Sequence, residues 1–108
     1  MRKLEGDYME IMFEDEVYSL KKSFSESSGL ELSLFDALDQ KYATLSIRYP
    51  KLNLEMNEIL LKNYSENQRI AKLLLEKRIL KPSSKYILVG RTFCPVCEVQ
   101  NLNSIESY

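Results

Sequence analysis

Residues 53–90, NLEMNEILLKNYSENQRIAKLLLEKRILKPSSKYILVG, contain a clear helical spacing of apolar side chains. In the middle of this segment they recur as on the buried face of a helix, and they are Ile70, Ala71, Leu73, Leu74 and Leu75. Ser65 stands before them and Gln68 follows it by three positions, which is the reciprocal arrangement of a capping box. The pattern predicts a helix over residues 65–77.

The flanks of this helix are predicted to form another helix and a β-hairpin. Asn53 can cap a helix over residues 53–62, which the segment KNYS then interrupts. After residue 77, the short apolar runs RIL and KYILVG enclose the turn-forming residues KPSS. We therefore expect a hairpin over residues 78–91 with basic residues at its tip.

Two further helices are predicted in the N-terminal half. One covers residues 7–24, where apolar side chains are spaced by three or four positions at Met9, Phe13, Val17, Leu20 and Phe24. The other covers residues 33–49, with Ser33 as its cap and Pro50 after its end, although TLSIRY (44–49) also alternates as a strand would. The predicted fold class is mostly α with a small β-hairpin.

A single domain over residues 1–108 is expected from the length of the chain. It would consist of the extra helix 7–24, a core over residues 33–91 and a tail over residues 92–108. No run of about 20 apolar residues or signal-peptide pattern is present, which favours a cytoplasmic protein. The chain has no His, so the commonest metal ligand and general base is missing.

The net charge of −1 hides an uneven distribution. Residues 1–61 carry seven Lys/Arg against twelve Asp/Glu, whereas residues 62–91 carry eight Lys/Arg against two Asp/Glu. Such asymmetry is typical of a nucleic-acid surface. A basic segment that pairs with the acidic half of the same protein explains it equally well.

The order of helix 33–49, helix 53–62, helix 65–77 and hairpin 78–91 resembles the winged helix-turn-helix superfamily. The resemblance implies that the last helix lies in the DNA major groove and that the hairpin touches the flanking backbone. Asn, Gln and Arg side chains suit base edges, whereas Lys and Ser suit phosphates. The predicted DNA-binding residues are Ser65, Asn67, Gln68, Arg69, Lys72, Lys81, Ser83, Ser84, Lys85 and Arg91.

The resemblance predicts a small DNA-binding protein, a transcriptional regulator, that binds double-stranded DNA as a homodimer through the extra helix 7–24. A second hypothesis is a non-enzymatic protein-interaction module, an inhibitor or accessory subunit, that docks through its basic face to an acidic partner. We expect no enzyme, because the spacing supports no Gly-rich phosphate loop, paired carboxylates or nucleophile–base pair.

The two cysteines, Cys94 and Cys97, lie in the segment CPVC and leave several interpretations open. Two thiolates make half of a tetrahedral zinc site, so zinc would be shared between two chains, and the segment resembles the zinc hook of double-strand-break repair ATPases. CPVC after a strand also resembles glutaredoxin, in which the first cysteine is the nucleophile. The thiols can equally be small buried hydrophobic groups or form a disulfide. We expect a structural role without redox chemistry.

Overall fold

The computed structural model describes residues 9–27, 29–49 and 52–108. In these residues it shows eight β-strands and one α-helix. The strands are β1 (Met9–Phe13), β2 (Glu16–Ser25), β3 (Gly29–Phe35), β4 (Lys41–Thr44), β5 (Glu58–Leu60), β6 (Leu80–Val89), β7 (Thr92–Val99) and β8 (Glu106–Ser107). The helix α1 covers Gln68–Glu76, and short 3-10 helices cover Ser65–Asn67 and Leu102–Ser104. The described chain is mostly β, so the predicted mostly α fold with a winged helix-turn-helix core is wrong.

The strands form two sheets that are joined between β4 and β5. The first sheet has the antiparallel order β1-β2-β3-β4, and β8 runs parallel to β2. Pairing of β2 with β1 ends at Leu20, and pairing with β8 begins at Lys21. The second sheet has the antiparallel order β5-β7-β6, so β6 is an edge strand. A bridge between Ser46 and Leu61 links the segments that follow β4 and β5.

The main core is built from both sheets and α1. The helix contributes its buried face, and the sheets contribute buried aliphatic side chains that include Leu20, Leu34, Ile59, Leu61 and Val99. A second, smaller cluster lies on the other face of the second sheet and contains Leu60, Cys94 and Val96. The second sheet is therefore packed on both faces where it contains β5, which explains the uninterrupted apolar residues Ile59, Leu60 and Leu61.

The predicted helix over residues 7–24 is replaced by the β1–β2 hairpin, and residues 7 and 8 lie outside the described part. Of the expected helical stripe, Val17 is 41% exposed and Phe24 is 56% exposed. The turn consists of Glu14 and Asp15, with φ values of 53° and 66°. Two positive φ angles are the geometry of a type I′ hairpin turn, which normally carries Asn-Gly. Because Glu14 and Asp15 stand where Asn-Gly is usual, the sequence does not indicate this turn.

The predicted helix over residues 33–49 is replaced by β3, a turn and β4. Ser33, its expected cap, is buried within β3. Asp36 holds the turn, because one of its carboxylate oxygens accepts hydrogen bonds from the backbone N–H groups of Leu38 and Gln40, each 2.9 Å long. An aspartate forms turns as readily as it begins helices, so the same residue is compatible with both structures.

The next two segments also differ from the prediction. For residues 44–49, the strand alternative agrees better with the structure than the helix, since β4 ends at Thr44 and Ser46 forms the bridge to the second sheet. Pro50 lies outside the described residues. The helix predicted over residues 53–62 is wrong, because the segment leads into β5.

A hairpin exists after α1, but it lies one strand later than predicted. The segment KPSS is no turn; β6 runs through it, with a bulge between Pro82 and Tyr86. The actual turn is Gly90–Arg91, in which Gly90 has a φ of 63°. Glycine at the first position of a two-residue hairpin turn suits the type II′ geometry. Residues 92–99, predicted as part of a tail, are the partner strand β7.

The helix predicted over residues 65–77 is present as α1 with the 3-10 turn before it, because its apolar stripe faces a real core. Its capping box is absent. Ser65 has a φ of 55°, and the N-cap of α1 is Asn67, with no side-chain capping hydrogen bond. The amide of Asn67 instead donates to the backbone oxygen of Thr44 at 2.7 Å, which ties the helix start to the first sheet.

The end of α1 is a Schellman motif. The backbone N–H of Ile79 donates to the oxygen of Leu74 at 3.0 Å, and that of Arg78 donates to the oxygen of Leu75 at 3.1 Å. Arg78 has a φ of 60°, the left-handed conformation that helix ends usually assign to glycine. The chain then turns directly into β6.

Candidate functional site

Helix α1, the residues that follow it and the β6–β7 hairpin carry six cations, which we call the cationic ridge. Its members are all exposed, and they are Lys72, Lys77, Arg78, Lys81, Lys85 and Arg91. Among the described residues none of the six takes part in an ion pair. Glu76 and Glu98 are the acidic residues on the same elements, so the ridge keeps an excess of positive charge.

The cations that precede the ridge are paired within the protein. Lys62 donates to Glu66 at 2.8 Å, which raises the pKa of Lys62 and lowers that of Glu66. Arg69 forms an ion pair with Glu14 in the β1–β2 turn, and its guanidinium lies 6.0 Å from the ring centroid of Phe13. The hypothesis that the basic segment pairs with the acidic half therefore has one supporting contact, that of Arg69 with Glu14. Lys62 pairs with Glu66 inside the basic segment itself, and the ridge has no such pair among the described residues.

Two lysines of the first sheet are paired in the same way, whereas the third, Lys22, donates to the backbone oxygen of Leu102 at 2.7 Å. Lys21 donates to Asp39 at 2.5 Å and Lys41 donates to Glu31 at 3.1 Å, and each hydrogen bond raises the pKa of its lysine. These contacts set the cationic ridge apart, because its charges are available to a ligand without breaking an ion pair between described residues.

Three large apolar side chains are exposed on the β6–β7 hairpin, which also carries Lys81, Lys85 and Arg91. Tyr86 is 57% exposed, Leu88 is 52% exposed and Phe93 is 63% exposed. Leu88 pairs with Phe93 and Tyr86 pairs with Pro95 across the ladder, so the three side chains share one face of the hairpin. We call them the apolar ribbon face. They were not predicted from the sequence, because KYILV is apolar at every position after the lysine and has no alternation that would mark an exposed side.

The outer edge of β6 is a second open feature of the hairpin. In the described residues no strand pairs with that edge. Residues that flank a two-residue turn form a hydrogen-bonded pair, and such pairs alternate with non-hydrogen-bonded pairs along an antiparallel ladder. Val89 therefore bonds to β7, whereas the backbone N–H and C=O groups of Leu88 and Tyr86 point outward. Pro95, which has no N–H, is opposite Tyr86 and fits this alternation.

The predicted DNA-binding residues are divided by the structure into internal and open groups. Asn67 is 1% exposed and its amide donates to a backbone oxygen of the first sheet. Arg69 forms an ion pair with Glu14. The hydroxyl of Ser83 donates to the backbone oxygen of Val96 at 2.9 Å and accepts from the N–H of Lys85 at 3.2 Å, which fixes the bulge.

The remaining predicted residues are exposed, and they are Ser65, Gln68, Lys72, Lys81, Ser84, Lys85 and Arg91. Ser65 and Gln68 lie at the start of the helix. The others lie on the outer side of α1, along β6 and at the hairpin turn. The exposed predicted residues thus lie on α1 and on the β6–β7 hairpin. They do not form the recognition helix and wing that were predicted.

The two cysteines lie on opposite faces of β7 and are free thiols. Cys94 packs in the smaller cluster with Leu60 and Val96, whereas Cys97 belongs to the main core. Residues three apart in a strand point to opposite sides, so the pair cannot chelate one ion or form a disulfide with each other. The zinc half-site, zinc-hook and glutaredoxin interpretations are therefore wrong.

Burial also makes both thiols chemically inert. It raises the pKa of Cys97 to about 12 and raises the pKa of Cys94 as well, so both remain protonated at neutral pH. A thiolate is the form that attacks electrophiles and binds metals. No cluster of three or more His, Cys, Asp or Glu side chains that could hold a metal ion occurs in the part of the chain that is described. The interpretation as small buried hydrophobic groups agrees with the structure.

Comparisons with protein-family models, with curated proteins and with solved structures give no match. Among the described residues, no helix is long and apolar enough to cross a membrane. The chemistry of the ridge, the ribbon face and the β6 edge is therefore the basis for a functional proposal.

Proposed function

We propose that the chain is a non-enzymatic protein-interaction module that binds an acidic partner through the cationic ridge and the apolar ribbon face. The observation that carries the proposal is that exposed Tyr86, Leu88 and Phe93 lie on the same hairpin as cations that have no ion pair among the described residues. Protein interfaces combine an apolar, often aromatic, centre with a charged rim that excludes water. The hairpin offers both parts within one supersecondary unit.

The charge of the ridge supports an acidic partner. Unpaired surface cations accelerate association with a surface of opposite charge and disfavour partners of like charge. They contribute orientation and rate, whereas burial of the apolar ribbon face supplies most of the affinity. We also propose that the protein works in the cytoplasm, since two free cysteines are typical of a reducing compartment.

DNA binding is a second candidate, and one specific observation favours it. Lys81, Lys85 and Arg91 follow a strand and its turn, and a two-stranded β-ribbon fits the major groove of DNA. In this version the cations bind phosphates of double-stranded DNA, and the chain regulates transcription as a homodimer. The exposed Leu88 favours the protein partner, because an aliphatic side chain gains little from a phosphate backbone.

A photocrosslinking experiment with matched positions separates the candidates. A benzoylphenylalanine replaces Phe93 in one sample and Phe24 in another, because the two rings are exposed to similar degrees, 63% and 56%. We expect adducts with an acidic protein from position 93 only, and their loss when Lys85→Glu and Arg91→Glu are added. Adducts that a nuclease removes would support DNA binding instead. Equal crosslinking from position 24 would contradict the proposed surface.

A further inference from the structure

We infer that the acidic partner binds as an extended segment that adds a strand to the outer edge of β6 at Tyr86–Val89. This inference rests on the proposed function and specifies its geometry. Strand addition gains affinity from backbone hydrogen bonds and specificity from the side chains at alternate positions. The edge of β6 supplies the hydrogen-bonding groups, and the apolar ribbon face and the ridge supply the two kinds of side-chain contact.

The backbone of the edge is ready for this pairing. The N–H and C=O groups of Tyr86 and Leu88 point away from β7, because Val89 and Ile87 are the residues bonded to it. Exposed edge strands with such free groups pair readily with another chain. The bulge at residues 83–85 and the missing N–H of Pro82 end the usable edge on one side, and the Gly90–Arg91 turn ends it on the other. The docking segment is therefore short.

Charge selects the occupant of the edge. A second copy of the chain would bring Lys85 and Arg91 of both molecules close together, and like charges across a strand pair are destabilising. An acidic segment places carboxylates against the same cations. Successive side chains of an added strand point to opposite faces, so only every second one can lie beside Tyr86 and Leu88. The ligand should thus alternate, with apolar residues beside the apolar ribbon face and Asp or Glu between them.

The first test uses three synthetic peptides and the full chain. The probe is acetyl-EVEVEVE-amide; its controls are acetyl-KVKVKVK-amide and the acidic peptide with N-methyl groups at alternate backbone positions. By NMR titration we expect binding of the acidic peptide alone, with slowed hydrogen exchange at the N–H groups of Tyr86 and Leu88. N-methylation should weaken binding by about tenfold or more, because it removes the donors of the new ladder.

The outcomes separate the binding mode from the proposed function. If the acidic and N-methylated peptides bind equally and Lys85→Glu abolishes both, strand addition is overturned while the acidic-partner proposal stands. If the lysine peptide binds as well as the acidic one, the charge argument fails and both are overturned. A dimer by sedimentation that Leu88→Pro dissociates would show that a second copy occupies the edge, against the inference.

A matched pair of variants tests the edge from the protein side. Leu88→Pro removes one outward N–H at a position where an edge strand tolerates proline, whereas Leu88→Ala trims the side chain and keeps the N–H. We expect Leu88→Pro to abolish binding of the acidic peptide and Leu88→Ala to weaken it a few-fold. Circular dichroism checks that both variants fold. Equal binding by the two folded variants would overturn the strand-addition geometry, and if Leu88→Pro unfolds, the N-methylated peptide decides alone.

Discussion

Leu88 on β6 lies directly opposite Phe93 on β7, and the two side chains are 52% and 63% exposed. On the other face of the same strands, Ile87 lies opposite Cys94, which is fully buried. Burying apolar surface gains about 25 cal/mol per Å², so the Leu88–Phe93 pair forgoes that gain in the isolated chain. Contiguous apolar side chains left in water mark interaction surfaces. The end of the hairpin therefore has one packed face and one face whose apolar side chains are exposed.

The first prediction separates these two faces by stability. Leu88→Thr with Phe93→Thr should change the free energy of unfolding by about 0.5 kcal/mol or less, because both side chains are exposed and threonine suits a strand. Ile87→Thr, on the packed face of the same strand, should cost about 1–2 kcal/mol. Urea denaturation measures both. A large loss in the double variant would mean that the apolar ribbon face supports the fold.

The second prediction concerns the end of α1. Arg78 adopts a φ of 60°, which costs an L-residue about 1 kcal/mol relative to glycine. Arg78→Gly should therefore stabilise the protein by about 0.5–1 kcal/mol after the entropy of the unfolded chain is counted. Lys77→Gly is the control. Lys77 has a φ of −83°, which needs no glycine, so this substitution should only destabilise the protein. Thermal unfolding of the pair checks the sign, and a destabilised Arg78→Gly would contradict the Schellman geometry.

The Arg78 position also shows which features of the fold the sequence reveals. The helix over residues 65–77 was predictable, because Ile70, Ala71 and Leu74 face one core and keep a helical period. The C-terminal end of this helix lacks the usual glycine, yet Arg78 adopts the left-handed conformation that glycine normally takes there. Local composition was overridden by the packing of α1 against β6.

The N-terminal hairpin was not predictable for a related reason. Met9 and Phe13 lie on the same side of β1 as they would on a helix, since positions four apart share a face in both structures. The feature that separates the two is the turn at Glu14 and Asp15, where positive φ angles are adopted without Asn or Gly. Of the basic residues of the candidate site, Lys77 and Arg78 were not among the residues predicted to bind, whereas the other four were. Leu88 and Phe93 were not predicted either, because burial on one face of β6 depends on contacts with distant segments.

The third prediction concerns Cys97. Burial raises the pKa of its thiol to about 12, so between the unfolded value near 8.5 and about 12 the folded state holds a proton that the unfolded state loses. Stability from this group is thus complete below about pH 8.5 and is lost as pH rises. Cys97→Val should flatten the decline of unfolding free energy between pH 9 and pH 11, by at most about 1.4 kcal/mol per pH unit.

The control for this measurement is the reactivity of the thiols. Neither Cys94 nor Cys97 should react with a thiol reagent at neutral pH until the protein is denatured. Rapid labelling of native Cys97 would show that the core opens there. An identical pH profile in the valine variant would assign the alkaline loss to other groups, such as the paired lysines.

The fourth prediction concerns Tyr108, whose hydroxyl donates to the carboxylate of Glu31 at 2.8 Å. This hydrogen bond and that from Lys41 lower the pKa of Glu31. A carboxyl group with a lowered folded pKa stabilises the protein above its unfolded pKa, and that stabilisation is lost as pH falls. Tyr108→Phe should reduce the acid-side loss by a few tenths of a kcal/mol, because the pair is partly exposed to solvent. The free energies of unfolding of the wild type and Tyr108→Phe at pH 7 and pH 3 give the loss of stability on acidification. An equal loss in the two proteins would contradict the coupling between Tyr108 and Glu31.

The last prediction tests the cationic ridge by salt dependence. Lys85→Glu with Arg91→Glu should slow association with the acidic peptide at low ionic strength and remove most of its dependence on salt, because the reversed charges repel the ligand. Lys41→Glu is the matched control, since Lys41 is already paired with Glu31 and lies on the first sheet. Stopped-flow kinetics at several salt concentrations should show a steep slope for the wild type and Lys41→Glu, and a shallow or inverted slope for the double variant. Equal slopes in all three proteins would contradict electrostatic steering by the ridge, whereas an equal loss in Lys41→Glu would place the binding surface on the first sheet.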